Sequence, residues 1–259
     1  MSSPILRGCD EIIDRWLGID ETWAGSPPRY GHKSTLLQLQ KEPPKQLDGL
    51  ALIKDLLNQI TTNWNNSTRT VSPSNQNFRF NKQPIIAAGN PSLEKTLEKA
   101  IVRIAGDDWA NQTPTCSGLV DDGGRHCNID LTRRAGNHFT FIELKVDTNT
   151  PLYAALEILQ YGSVYAFSRQ FMGQLGYSLE NQPALGAKRV HLSVLAPALY
   201  YRGSQLCWLK EAISDGLMKF SQGLDYEMDF QFEQFPSWFQ WPCQDSDLAK
   251  ALAETTSCK

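Results

Sequence analysis

The sequence has no excess of positive charge: Lys and Arg number 25 against 28 Asp and Glu, a net charge of −3 over 259 residues. A polybasic coat is excluded, so any contact with nucleic acid must come from a local patch. None of the six cysteines (Cys9, Cys116, Cys127, Cys207, Cys243 and Cys258) forms a C-x-x-C pair. Cys116, His126 and Cys127 fit no common zinc spacing, and buried free thiols are the expectation. No window approaches the roughly 18 apolar residues of a membrane span, and MSSPILRGCDEIIDRW has no apolar signal core. Together these absences predict a reduced, cytosolic protein with no membrane contact. No internal repeat is visible.

What is present is an ordinary globular composition, 41% hydrophobic and 20% charged. That suffices for one large domain, or a core domain with an extension. Residues 10–19 read as a short amphipathic helix. A Pro/Gly-rich stretch (AGSPPRYGHK) and then KEPPK follow. In 46–63, Leu50, Ile53, Leu56, Leu57 and Ile60 share a helical face. NWNNSTRTVSPSNQN is polar and turn-rich, a linker by composition. The expected division is therefore a helical extension and linker over 1–77 and an α/β domain over 78–259.

Within 78–259 the patterning tightens. Ser92 is placed to cap a helix, LEKTLEKAIVRIAG, that stops near Gly106. Strands are expected at 114–120, 127–133 and 138–146, the last two joined by the turn R-A-G-N as an antiparallel hairpin. Thr150-Pro151 opens the next helix, followed by a strand at 188–197, a helix at 204–221, a strand at 225–235 and a short terminal helix. The order predicts an α/β fold with a central mixed sheet and helices on both faces.

The chemistry lies in IDLTRRAGNHFTFIELKV, residues 129–146. Alternation puts Phe139, Phe141, Glu143 and Lys145 on one face of their strand, and Ile142, Leu144 and Val146 on the other. Across the hairpin Asp130 falls opposite Glu143, while Ile129 and Leu131 join the apolar face. Two carboxylates that close raise one carboxyl pKa unless a positive charge intervenes. Lys145 is one such charge. Mg²⁺ (or Mn²⁺) is another, held by Asp130, Glu143 and the Leu144 carbonyl, since these ions take oxygen ligands. Lys145 would then orient or deprotonate water, or stabilise developing charge. The competing reading is an exposed Glu–Lys pair on a half-wet strand.

With a helix before it and a helix after it, this stretch resembles the core of the PD-(D/E)xK nuclease superfamily, the restriction-endonuclease-like group. The resemblance covers roughly residues 90–200. It implies a core of helix, three strands, helix and strand, and metal-dependent cleavage of phosphodiester bonds in DNA. Asp130 matches the family aspartate, with Ile129 where the family name has proline. Glu143 and Lys145 match E-x-K. A helix glutamate that many members add to the metal site has two candidates, Glu98 and Glu94. Glu98 leads Ile101, Val102 and Ile104 and is preferred. Gln160 matches the glutamine of the following helix, whereas Val164 stands where a tyrosine is usual. Arg125, Arg133 and Arg134 around the hairpin, with Lys188 and Arg189, would flank a phosphate path. Many enzymes of this resemblance are homodimers. Two alternatives stay open: a non-catalytic nucleic-acid- or protein-binding module on the same fold, and an unrelated α/β protein with a decorated hairpin.

Overall fold

The computed structural model describes residues 3–45, 47–68, 72–86, 89–120 and 127–258. Three N-terminal helices, α1 (Cys9–Trp16), α2 (Lys33–Lys41) and α3 (Gly49–Asn65), precede α4 (Leu93–Ile104). Strands β1 (Trp109–Pro114), β2 (Asn128–Ala135) and β3 (His138–Leu144) follow, then α5 (Pro151–Gln170), β4 (Arg189–Pro197), α6 (Cys207–Ser221), β5 (Glu227–Phe235), α7 (Asp245–Ala253) and β6 (Thr256–Ser257). The strands form one six-stranded sheet in the order β1-β2-β3-β4-β5-β6. The β1–β2, β2–β3 and β5–β6 pairs are antiparallel, and β3–β4 and β4–β5 are parallel. The expected α/β class with a mixed sheet is therefore present. Among the described residues no helix is long and apolar enough to cross a membrane.

Each parallel connection needs a crossover helix, and α5 and α6 supply them on one face. There Ile158, Val164 and Ile213 pack with Phe141, Val194 and Phe232 in a large apolar core. On the other face Leu97 and Ile101 of α4 and Leu248 of α7 cover Leu131, Ile142, Leu144 and Leu195. The helix α5 is buried on all sides, as expected of a helix whose apolar surface is not confined to one stripe. Its second flank is closed by the N-terminal residues, with Ile5, Leu52 and Ile60 in the same core and Trp64 edge-on to Phe167. Close approach to the sheet requires Gly162, where a Cβ would stand 2.5 Å from a Leu192 methyl.

Two expectations shift. The first strand is Trp109–Pro114, earlier than 114–120. Gly118 has φ +69° and turns the chain there, while the polar WANQTP extends beside β2. The helix α2 lies between the two proline-rich stretches, in a segment given no element from sequence.

Candidate active site

The ladder between β2 and β3 runs from Ala135↔His138 to Leu131↔Ile142. Beyond it the Asp130 side chain takes over: its Oδ2 accepts the Leu144 N–H at 3.1 Å. The strands part at this point. Ile129 packs in the core on the α5 side while Leu131 stays on the α4 side. The apolar wall expected on one face is thus split between two at Asp130, the residue whose place opposite Gln112 is missing from the β1–β2 ladder, Gln112 having a left-handed φ of +50°.

Glu143 and Lys145 are 3% and 5% exposed, so they are charges in a core and must be paired. Lys145 Nζ donates to Glu143 Oε1 at 2.5 Å and to Glu157 Oε2, on α5, at 3.5 Å. Tyr161 donates to the other Glu157 oxygen at 3.3 Å. Burial opposes the Lys145 charge, but Glu143, Glu157 and Asp130 outweigh it and raise its pKa. Lys145 is therefore an ammonium here, suited to stabilising anionic charge rather than accepting a proton. Burial, with Asp130 and Glu157, pushes the Glu143 carboxyl well above its ordinary value against the opposing pull of Lys145.

On the α4 side Glu98 is 1% exposed. It accepts from Asn111 Nδ2 at 2.5 Å, from Gln112 Nε2 at 2.7 Å and from Lys95 Nζ at 3.0 Å. Burial still raises its pKa over the lowering by Lys95 and Asn111. Gln112 has φ +50°, a left-handed conformation that is strained for a residue with a side chain. From there Gln112 Nε2 also donates to Asp130 Oδ1 at 3.3 Å. Lys95 Nζ stands 3.5 Å from the same Asp130 oxygen, bridging it to Glu98. Asp130 thus joins two groups, Glu98–Lys95 on one side and Glu143–Lys145 on the other. Glu94 binds elsewhere, accepting from the Val146 N–H at 3.3 Å and from the Thr148 hydroxyl. It ties the loop after Lys145 to α4.

Not every expected residue converges. Gln160 donates to Asp10 Oδ1 at 3.1 Å and to the Tyr30 hydroxyl at 2.9 Å, holding the N-terminal segment one turn along α5 from Glu157. Arg133 and Arg134 lie over the Trp109 and Phe139 rings. Arg189 pairs with Glu227 at 3.2 Å, and Lys188 reaches the Asp225 carbonyl at 3.4 Å. All four lie at the hairpin end of the sheet, since Arg189 is beside His138. At about 3.3 Å per residue, Glu143 is roughly 10–13 Å further along from the level of Arg133 and Arg134 and roughly 17 Å from that of Arg189. Arg125 lies outside the described residues.

No family model matches the chain, and no curated protein or solved structure matches it.

Among the described residues, no group of three or more His, Cys, Asp or Glu side chains is placed to hold a metal ion. The carboxylates are instead engaged by ammoniums and amides. Glu98, Asp130, Glu143 and Glu157 lie within ion-pair distance of Lys95, Lys99 and Lys145. The oxygen donors suit a hard cation, and one positive group, the Lys95 ammonium, already lies against both Glu98 and Asp130. Lys95, Glu157, Asn111 and Gln112 were missed from sequence. Glu157 did leave a signal, as the single acid in PLYAALEILQYGSVYAFSRQ.

Proposed function

We propose that the protein is a metal-dependent nuclease that hydrolyses phosphodiester bonds in DNA, on a core of the PD-(D/E)xK type. The observation that carries the reading is the convergence of Asp130, Glu143, Lys145 and Glu98 where β2 parts from β3. Element order supports it too: α4, three strands, α5 and β4 follow in the sequence that resemblance implies. Fold order by itself would not carry a function.

Asp130, Glu143, Glu98 and the Leu144 carbonyl are the oxygens that would hold Mg²⁺ or Mn²⁺. Bound there, such an ion supplies Lewis acidity and a water of lowered pKa. Lys145 places a fixed positive charge beside Glu143 for the negative charge that develops on phosphate oxygens. Glu157 and Tyr161 hold that lysine in place from α5. Glu94 fixes the loop after it.

The ammonium pairing of every site carboxylate favours a second reading, a non-catalytic nucleic-acid- or protein-binding module on the same fold. Incubation of wild type, Asp130→Asn and Lys145→Ala with mixed DNA substrates and Mg²⁺ or Mn²⁺ separates the two. Cleavage by wild type that both variants lose is the expected result. No cleavage, or equal cleavage by all three, removes the nuclease reading.

A further inference from the structure

A cavity of about 740 Å³ opens at the carboxyl ends of β3 and β4, against the loop that follows Lys145. Crevices at this end of parallel strands are where α/β sheets take their ligands. Tyr200, Phe239 and Trp241 give the cavity aromatic walls. The Trp241 indole N–H donates to Thr96 Oγ1 at 3.0 Å, which fixes the ring to α4 between Glu94 and Glu98. The Tyr200 hydroxyl is buried and has no hydrogen-bond partner among the described residues. It is also within electrostatic reach of Lys145, Glu94, Glu143 and Glu157. A buried hydroxyl without a partner is an unmet demand that a ligand atom can satisfy. Lys33 and Arg202 line the cavity against one carboxylate, Asp147. Both cations are exposed, and neither forms an ion pair among the described residues.

We propose that this cavity receives an unpaired nucleotide next to the cleaved phosphodiester, so that the substrate is single-stranded DNA or a single-stranded end. This rests on the nuclease reading and names its substrate. A base inside a duplex is stacked on both sides and offers no face to a protein ring, whereas an extruded or unpaired base does. Trp241, which is only partly buried, supplies the stacking surface, backed by the buried Phe239. The Tyr200 hydroxyl donates to a phosphate or base oxygen, and Lys33 and Arg202 neutralise the flanking phosphates. The volume lies within the roughly 300–1,000 Å³ usual for small-ligand sites, room for a nucleotide.

The test is anisotropy of labelled DNA in EDTA, which keeps binding separate from cleavage. The probes are an oligothymidylate, a blunt duplex, and the same duplex with a single-stranded extension. The first and third are expected to bind about tenfold or more tighter than the second. Trp241→Ala should abolish that preference. The double variant Lys33→Gln, Arg202→Gln alters only exposed side chains and should weaken single-strand binding even if loss of Trp241 impairs folding. Equal or tighter binding of the blunt duplex, unchanged single-strand binding in both variants, or no binding of DNA at all overturns the proposal. Cleavage is scored separately with Mg²⁺. Duplex cleavage indifferent to the cavity variants leaves the nuclease reading standing without this site. Cavity-dependent binding with no cleavage leaves the site standing without the nuclease.

Discussion

The Lys95 ammonium lies 3.5 Å from the Asp130 carboxylate, reaching across from α4 to β2. It also lies 3.0 Å from Glu98. A single, partly exposed side-chain cation therefore bridges two carboxylates that the proposed function assigns to a divalent ion. The two cations compete, because like charges a few ångströms apart repel by several kcal/mol at an effective dielectric of about 20. Lys95→Met should raise affinity for Mn²⁺ by about tenfold or more. Calorimetric titration of the protein with Mn²⁺, without DNA, reads this directly. Unchanged or weaker binding would place the ion away from Asp130 and Glu98.

Lys145, by contrast, is a buried cation, and removing it strands a buried acid. Lys145→Met should cost about 3–5 kcal/mol of stability near neutral pH, the usual penalty for breaking one side of a buried pair. The penalty has a sign with pH. Glu143 has a folded-state pKa above its ordinary value. Its contribution is therefore fully present below the unfolded value and is lost as pH rises through the folded one. Without Lys145 that pKa rises further, so the variant should lose little at about pH 4 and most at about pH 8. Adding Glu143→Gln should recover most of the loss. Urea unfolding of the single and double variants at both pH values checks this, and a penalty independent of pH would contradict it.

The E-x-K strand was legible in sequence because alternation and a Gly136-Asn137 turn fix a hairpin register. Asp130 falls opposite Glu143 in that register. The split of Ile129 from Leu131 was not legible, because it depends on the place between Asp130 and Gln112 that is missing from the β1–β2 ladder. The first strand was placed late for a related reason. Trp109–Pro114 carries no apolar alternation, since Asn111 and Gln112 point their amides at Glu98. Residues that serve a buried charge from outside the motif look, in sequence, like loop polarity.

Besides its side-chain packing in the core, α3 meets α6 through direct backbone contact. A Cβ on Gly49 would stand 1.8 Å from the Ala212 carbonyl oxygen, and one on Gly216 would stand 2.4 Å from the Gly49 carbonyl carbon. Thus α3 and α6 meet at two glycines. Gly216→Ala gains helix propensity, worth about 1 kcal/mol, yet it should destabilise by about 1–3 kcal/mol because neither backbone can move aside. Gly173→Ala is the control, since nothing lies within 4 Å of its Cβ position. Thermal unfolding of both variants separates a steric effect from a generic glycine effect.

The arginines that suggested a phosphate path offer the last test, because geometry removes them from the site. Arg133 and Arg134 sit near the hairpin turn, their guanidiniums over aromatic rings. Their partners on the neighbouring strand, Thr140 and Phe139, stand three and four residues from Glu143, roughly 10–13 Å along it. That separation exceeds the ~8 Å Debye length at physiological salt. Arg133→Gln and Arg134→Gln together should therefore change DNA cleavage by less than about twofold. Lys33→Gln with Arg202→Gln, at the opposite end of the same sheet, should reduce it by more. Cleavage rates at physiological salt compare the two pairs. A larger loss from the hairpin arginines would mean that DNA runs the length of the sheet, which the ring contacts and the distance argue against.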